Sequence, residues 1–208
     1  MNIIYRYFPY LEAEQKARLE KLEKIFITWN SKINLVSRKD IENFEEHHLL
    51  HSLSIAKFIS FSPGTRVLDL GTGGGLPGLP LAIVFPQTQF ILVDSIKKKI
   101  MAVEDMINEL GLKNVVALNT RAELLNDKFH FVVSRAVTHT STLVKWMKGK
   151  IRTDQFNIIP NGMILLKGGD LEDELKSLTL PYHTLELSGY FTEPYFSAKS
   201  ILYIEMKK

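Results

Sequence analysis

Val67-Leu68-Asp69-Leu70-Gly71-Thr72-Gly73-Gly74-Gly75-Leu76-Pro77-Gly78 is a run of strand-forming residues that breaks into a glycine-dense turn ahead of a helical pattern. Glycines at 71, 73 and 75 let the backbone turn sharply. They also let a ligand approach the main chain at a helix N-terminus, where a side chain would block it. A turn of this kind predicts a nucleotide-type cofactor site.

The residues separate three glycine-rich sites. A phosphate-binding P-loop ends in Gly-Lys followed by Ser or Thr, because the lysine neutralises phosphate and the hydroxyl holds Mg²⁺; here that region reads Leu76-Pro77-Gly78. A dinucleotide fingerprint needs glycine three positions after its second glycine, so that helix and strand close around a pyrophosphate; here that position is Leu76. What remains is the strand-Asp-x-Gly-x-Gly-x-Gly pattern suited to S-adenosylmethionine (AdoMet), which has no pyrophosphate and needs a carboxylate near its cationic end. Asp69 is placed for that role. A second apolar run, Gln89-Phe90-Ile91-Leu92-Val93-Asp94, ends in an aspartate 23 residues after Gly71, the spacing of a ribose-binding carboxylate in a βαβ unit.

At 208 residues and 45% hydrophobic content the chain has material for one substantial core and an appendage, not for two full domains. No stretch approaches the ~18 apolar residues of a membrane span. Met1-Asn2-Ile3-Ile4-Tyr5-Arg6 lacks the apolar core and cleavage site of a signal peptide, so a cytoplasmic location is expected. The absence of cysteine excludes disulfides, thiolate metal sites, iron–sulfur clusters and a cysteine nucleophile.

Leu19, Leu22, Phe26 and Trp29 recur at helical spacing and predict a helix over 10–30; a second is expected over 41–60, ahead of the turn at Ser62-Pro63-Gly64. From there apolar segments 66–70, 89–94, 114–118, 129–134 and 162–167 alternate with helical patterns near 77–85, 96–110, 139–148 and 170–178. This alternation predicts a parallel α/β sheet. Ile96, Ile100, Val103, Ile107 and Leu110 mark one face of the 96–110 helix, and Gly111 stands where its C-cap belongs. Two late strands, Tyr182 to Tyr190 and Ser200 to Met206, are expected to complete an antiparallel end. The boundaries that follow are a helical extension, 1–62, and a cofactor-binding domain, 63–208.

The sequence resembles the RsmG (GidB) family, bacterial methyltransferases acting on the ring nitrogen at position 7 of a guanine in 16S ribosomal RNA. The resemblance rests on Trp29-Asn30 with Asn34-Leu35, His48 with Ser52, and the run from Asp69 to Leu81. It continues with Val93-Asp94-Ser95 and Lys98-Lys99, Arg121-Ala122-Glu123, Ser134-Arg135-Ala136 and Leu166-Lys167-Gly168. It implies the class I AdoMet-dependent methyltransferase fold, a Rossmann-like and mainly parallel seven-stranded sheet with helices on both faces. It further implies Gly71 and Leu76 at the methionine side of AdoMet, Ala122 and Glu123 along the adenine, and Arg135 where cofactor and guanine meet. The cofactor set expected is therefore Asp69, Gly71, Gly73, Gly75, Leu76, Asp94, Ser95, Ala122, Glu123 and Arg135, with S-adenosylhomocysteine as product. Arg135 is the expected catalytic residue. His51 departs from the family pattern, which usually has aspartate there, and Lys199 stands where arginine is expected.

A net charge of +3 marks RNA binding only weakly. The electrostatic signal lies in local clusters: Arg38-Lys39, the lysines at 97–99, and Lys145, Lys148, Lys150 and Arg152 around Trp146. Arg38, His48, Lys98, Lys99 and Lys167 are the expected RNA contacts. His47, His48 and His51 lack the carboxylate spacing of a metal site, and no metal is expected. The expected partner is 16S ribosomal RNA or the small-subunit particle, met by a monomer. A small-molecule AdoMet methyltransferase and a noncatalytic cofactor-binding module share the cofactor residues and remain as alternatives.

Overall fold

The structure is a computed structural model of the chain and describes residues 1–135 and 138–206. Seven strands form one sheet in the order β3-β2-β1-β4-β5-β7-β6. They are β1 (Arg66–Leu70), β2 (Gln89–Asp94), β3 (Val115–Asn119), β4 (Phe131–Arg135), β5 (Gly162–Gly168), β6 (Tyr182–Glu186) and β7 (Lys199–Glu205). The first five pair in parallel, and β7 runs antiparallel between β5 and β6. The expected antiparallel end is therefore one reversed strand, because β6, opposed to β7, points the same way as β5.

The central strands are apolar on both faces because both faces are covered. Val67, Phe90, Phe131, Val133 and Ile164 point into one buried cluster; Leu68, Leu70, Val132, Met163 and Leu165 point into the other. Period-two alternation on a single strand thus feeds both layers. The first layer holds α5 (Gly78–Val84) and α6 (Lys97–Leu110), together with the N-terminal helices α1 (Asn2–Tyr7) and α2 (Ala13–Lys32). The second is covered by α7 (Thr140–Met147) and, more thinly, α8 (Glu172–Lys176). Ile4, Phe8, Leu19, Leu22 and Phe26 of the 1–62 segment belong to the same buried cluster as the strands. Burying each such side chain contributes about 1.5–3 kcal/mol.

The segment expected as one helix over 41–60 is broken into a 3₁₀ turn (Ile41–Asn43), a π-helix (Phe44–Leu50) and two short α-helices, α3 (His51–Leu53) and α4 (Ile55–Phe58). Phe44 and Leu49, five apart and both buried, suit the wider π turn rather than the 3.6 period. Asn30 fixes the entry to this segment, its Oδ1 accepting from the Leu35 and Val36 amides at 2.9 Å each. Trp29 Nε1 donates to Asp105 Oδ2 of α6 at 2.8 Å. Ile96, expected on the apolar face of α6, precedes the helix and is exposed. The tail run expected to Tyr190 leaves the sheet after Glu186 for a 3₁₀ turn, Leu187–Gly189. Ala136, part of the Ser134-Arg135-Ala136 motif, lies outside the described residues.

Candidate active site

The strand order reverses between β1 and β4, the place where open α/β sheets bind ligands at the carboxyl ends of their strands. A cavity of about 1050 Å³ opens there. One side is walled by Leu70 to Gly74 and Leu76 of the glycine turn, Asp94 and Ser95 after β2, and Thr120 to Glu123 after β3. The other is walled by Arg135, Lys167 and Lys199, and by His48, His51 and Tyr195.

The glycine turn is held from beneath. Asp69 is fully buried, and its Oδ2 accepts from Thr72 Oγ1 at 2.5 Å and from the Gly78 amide at 2.8 Å. Burial outweighs these two bonds and pushes its carboxyl up to about 7. Asp69 is not in the cavity wall, which corrects its expected contact with the cofactor: its side chain folds under the turn and shapes it. Gly75 is likewise internal, since a Cβ there would meet Leu79 Cδ1 at 2.4 Å with φ at +91°. Gly73 faces the cavity with φ at +58° and open space where a side chain would project.

Asp94 is presented differently. Its Oδ2 accepts from the Gly73 amide at 3.0 Å and its Oδ1 from the Ile96 amide at 2.8 Å. Asp94 lines the cavity, and each of its oxygens, with one bond made, has capacity for a further donor. Ala122 is buried in the wall beside exposed Glu123. Lys150, expected in a basic cluster, instead donates to the carbonyls of Ala122 and Glu123 at 2.8 and 2.9 Å and fixes that turn. These groups fit S-adenosylmethionine: a glycine turn open to the cavity, a carboxylate held in place at its wall and a small apolar wall residue. When bound, that cofactor supplies an electrophilic methyl group on a sulfonium.

On the opposite wall Arg135 Nη1 donates to the His47 carbonyl at 3.3 Å, and the Tyr195 hydroxyl lies 3.2 Å from the same oxygen. Ser134 Oγ ties β4 to β1 through the Leu70 carbonyl at 2.8 Å. His47 Nδ1 is 2.6 Å from Asp40 Oδ1, and His48 Nε2 is 2.8 Å from Asp40 Oδ2 but too poorly angled to hydrogen-bond. Burial, helped by Arg135, lowers His48 to about 4, so it is neutral near pH 7. Lys167, an expected RNA contact, is paired with Glu174 at 2.7 Å, and Glu174 also accepts from the Thr140 amide. Arg38 and Lys98 are exposed and stand outside the cavity wall, whereas Lys99 lines it. Thr72, Tyr195 and Glu174 were missed in sequence. Tyr195 arrives from a 3₁₀ turn (Pro194–Ala198) in the link between β6 and β7, with no local pattern to mark it.

Among the described residues no group of three or more histidines or acids is placed to hold a metal ion, and no helix is long and apolar enough to cross a membrane.

Comparison with known proteins agrees with the geometry. The model of the family described as rRNA small subunit methyltransferase G matches residues 15–195. A ribosomal RNA small subunit methyltransferase G from Phocaeicola vulgatus is 50% identical over 204 residues, covering 98% of each chain. A SAM dependent methyltransferase from Aquifex aeolicus superposes with a TM-score of 0.58 at 15% identity, over 82% of this chain and 100% of its own. Aeropyrum pernix fibrillarin, solved with natively bound S-adenosyl-L-methionine, gives 0.55 at 13% identity over 74% and 73%. The sheet is that of the class I methyltransferases.

Proposed function

The chain belongs to the rRNA small subunit methyltransferase G family, and from that premise we propose that it moves the methyl group of S-adenosylmethionine onto the position-7 ring nitrogen of a guanine in 16S ribosomal RNA. One observation carries the reading: a single cavity holds the glycine turn with Asp94 on one wall and, facing them, Arg135 at the end of β4.

The ring nitrogen has an in-plane lone pair and no proton. S-adenosylmethionine held by the glycine turn and Asp94 would supply its methyl group directly to that lone pair, the C–S bond giving way to the new N–C bond, the positive charge passing to the guanine ring and S-adenosylhomocysteine being left. No general base is needed and no covalent enzyme intermediate forms. Catalysis is then mainly proximity and alignment, worth roughly 7–11 kcal/mol when geometry is well fixed. Asp94 accepts the ribose hydroxyls and the glycine turn cradles the methionine side. Ser95, Ala122 and Glu123 border the adenine. Arg135, anchored on the His47 carbonyl, fixes the base. Lys99 and His48 line the cavity on the RNA side, with Arg38 and Lys98 reaching RNA beyond it. The protein is read as acting as a monomer, and the substrate implies the cytoplasm.

The test is methyl transfer from labelled S-adenosylmethionine to small-subunit material from a strain lacking the activity, followed by nucleoside analysis. Label in 7-methylguanosine of the small-subunit RNA is expected. Cofactor binding without RNA label would instead favour a small-molecule substrate.

A further inference from the structure

Adenine carries the same position-7 lone pair as guanine, so the methyl-accepting atom does not by itself select the base. Selection falls to the edge where guanine shows an acceptor, O6, next to a donor, N1–H, and adenine shows a donor, its 6-amino group, next to an acceptor, N1. A site for guanine therefore needs a donor and an acceptor side by side. Lys167 and Glu174 are such a pair: Lys167 Nζ donates to Glu174 Oε1 at 2.7 Å, and both residues line the cavity, their side chains 13% and 18% exposed. Among the described residues it is the one ion pair with both members in that wall.

The pair is held in a fixed form. Lys167 follows Leu166, the register partner of Arg135, on β5. Glu174 stands on α8, and its Oε1 also accepts from the amide of Thr140, the first residue of α7, so one oxygen joins β5, α7 and α8. Burial raises the Glu174 carboxyl, but the bonds from Lys167 and Thr140 outweigh it and hold the pKa below the usual glutamate value, which leaves a carboxylate near pH 7. With Oε1 taken twice, Oε2 makes no hydrogen bond to the described residues, and the Lys167 ammonium keeps two of its three N–H groups. We propose that Glu174 and Lys167 read the target base, Glu174 Oε2 accepting from guanine N1–H and Lys167 Nζ donating to O6. The proposal rests on reading the cavity as an RNA methylation site. Adenine in the same place would set its amino group against the ammonium and its N1 against the carboxylate, two unmet contacts that charge makes costly.

The experiment titrates the S-adenosylhomocysteine-saturated protein with guanosine, inosine, 1-methylguanosine and adenosine, with binding followed by NMR. Guanosine and inosine share O6 and N1–H and are expected to bind alike. Adenosine and 1-methylguanosine have no proton to give at N1 and should bind roughly tenfold to a hundredfold more weakly. In Glu174→Gln the side-chain oxygen stays with Lys167 and Thr140 and the amide NH₂ faces the base, so guanosine should weaken by about tenfold while adenosine does not. Retained S-adenosylhomocysteine affinity shows that the variant is folded. Equal binding of guanosine and adenosine would overturn the proposal, as would 1-methylguanosine binding like guanosine, or a preference unchanged by Glu174→Gln. The 1-methylguanosine comparison needs only the wild-type protein and decides the matter if the variant fails to fold. Absence of RNA label in the transfer assay with the guanosine preference intact would overturn the reaction and leave the pair standing. RNA label without that preference would overturn the pair alone, so the two failures are separate.

Discussion

Asp69 and Asp94 end neighbouring parallel strands with the same carboxylate and serve different ends, one beneath the turn and one at the cavity. With its pKa near 7 against the ordinary 3.8, folded Asp69 keeps its proton between about pH 4 and 7 where the unfolded chain releases it. Its contribution to stability is complete below that window and is lost as pH rises through 7. Asp69→Asn keeps an acceptor for Thr72 and Gly78 and cannot ionise. Thermal melts of the cofactor-free variant should match the wild type below about pH 4 and exceed it at pH 8, by about 4 kcal/mol; parallel curves would refute the assignment. Arg135→Ala should lower kcat/KM for RNA by about a hundredfold or more, the cost of losing a well-placed charged donor, with cofactor affinity intact. Unchanged turnover would remove Arg135 from the site. The glycines and both aspartates could be picked out by their spacing after two apolar runs, and Arg135 only through the family resemblance. Which aspartate turns inward was not legible, since that depends on how the turn folds back over β1.

Among the elements, α6 shows how far periodicity reaches: Ile100, Val103, Ile107 and Leu110 are buried, and Gly111 takes φ +65° as its cap. The 41–58 stretch shows where it fails. Its hydrophobic residues are real core residues, but a spacing of five between Phe44 and Leu49 belongs to a π turn, which a search for the 3.6 period passes over. Its function is positional, because the π-helix carries the His47 carbonyl that receives Arg135 and Tyr195. The glycine turn is coupled to α2 in a similar way. A Cβ on Gly74 would stand 2.7 Å from the Phe26 ring. Gly74→Ala is therefore expected to destabilise the protein by about 1–3 kcal/mol through overpacking, and adding Phe26→Leu should recover part of the loss in denaturant titrations. No recovery would mean that the strain lies in the turn itself.

Across the whole molecule, the boundary near residue 62 is a change of pattern along the chain and not a break in the core. Ile4, Phe8, Leu19, Leu22 and Phe26 belong to one buried cluster with Val67, Phe131 and Ile164, and α2 packs against α5 and α6, the helices on that side of the sheet. A protein reduced to residues 63–208 should lack a cooperative thermal transition, and a sharp melt from it would contradict the shared core. The alternation of strands and helices made the parallel sheet legible, whereas the placing of β7 between β5 and β6 was not, because strand order has no local signature. That order also bears on heredity. β6 has no sheet neighbour other than β7, and β5 has β7 on one side, so a reading-frame stop between Glu186 and Lys199 leaves β6 unpaired and one edge of β5 bare, which invites aggregation. Late stop codons should then be as damaging as early ones, and a graded series of partial alleles would come only from point changes.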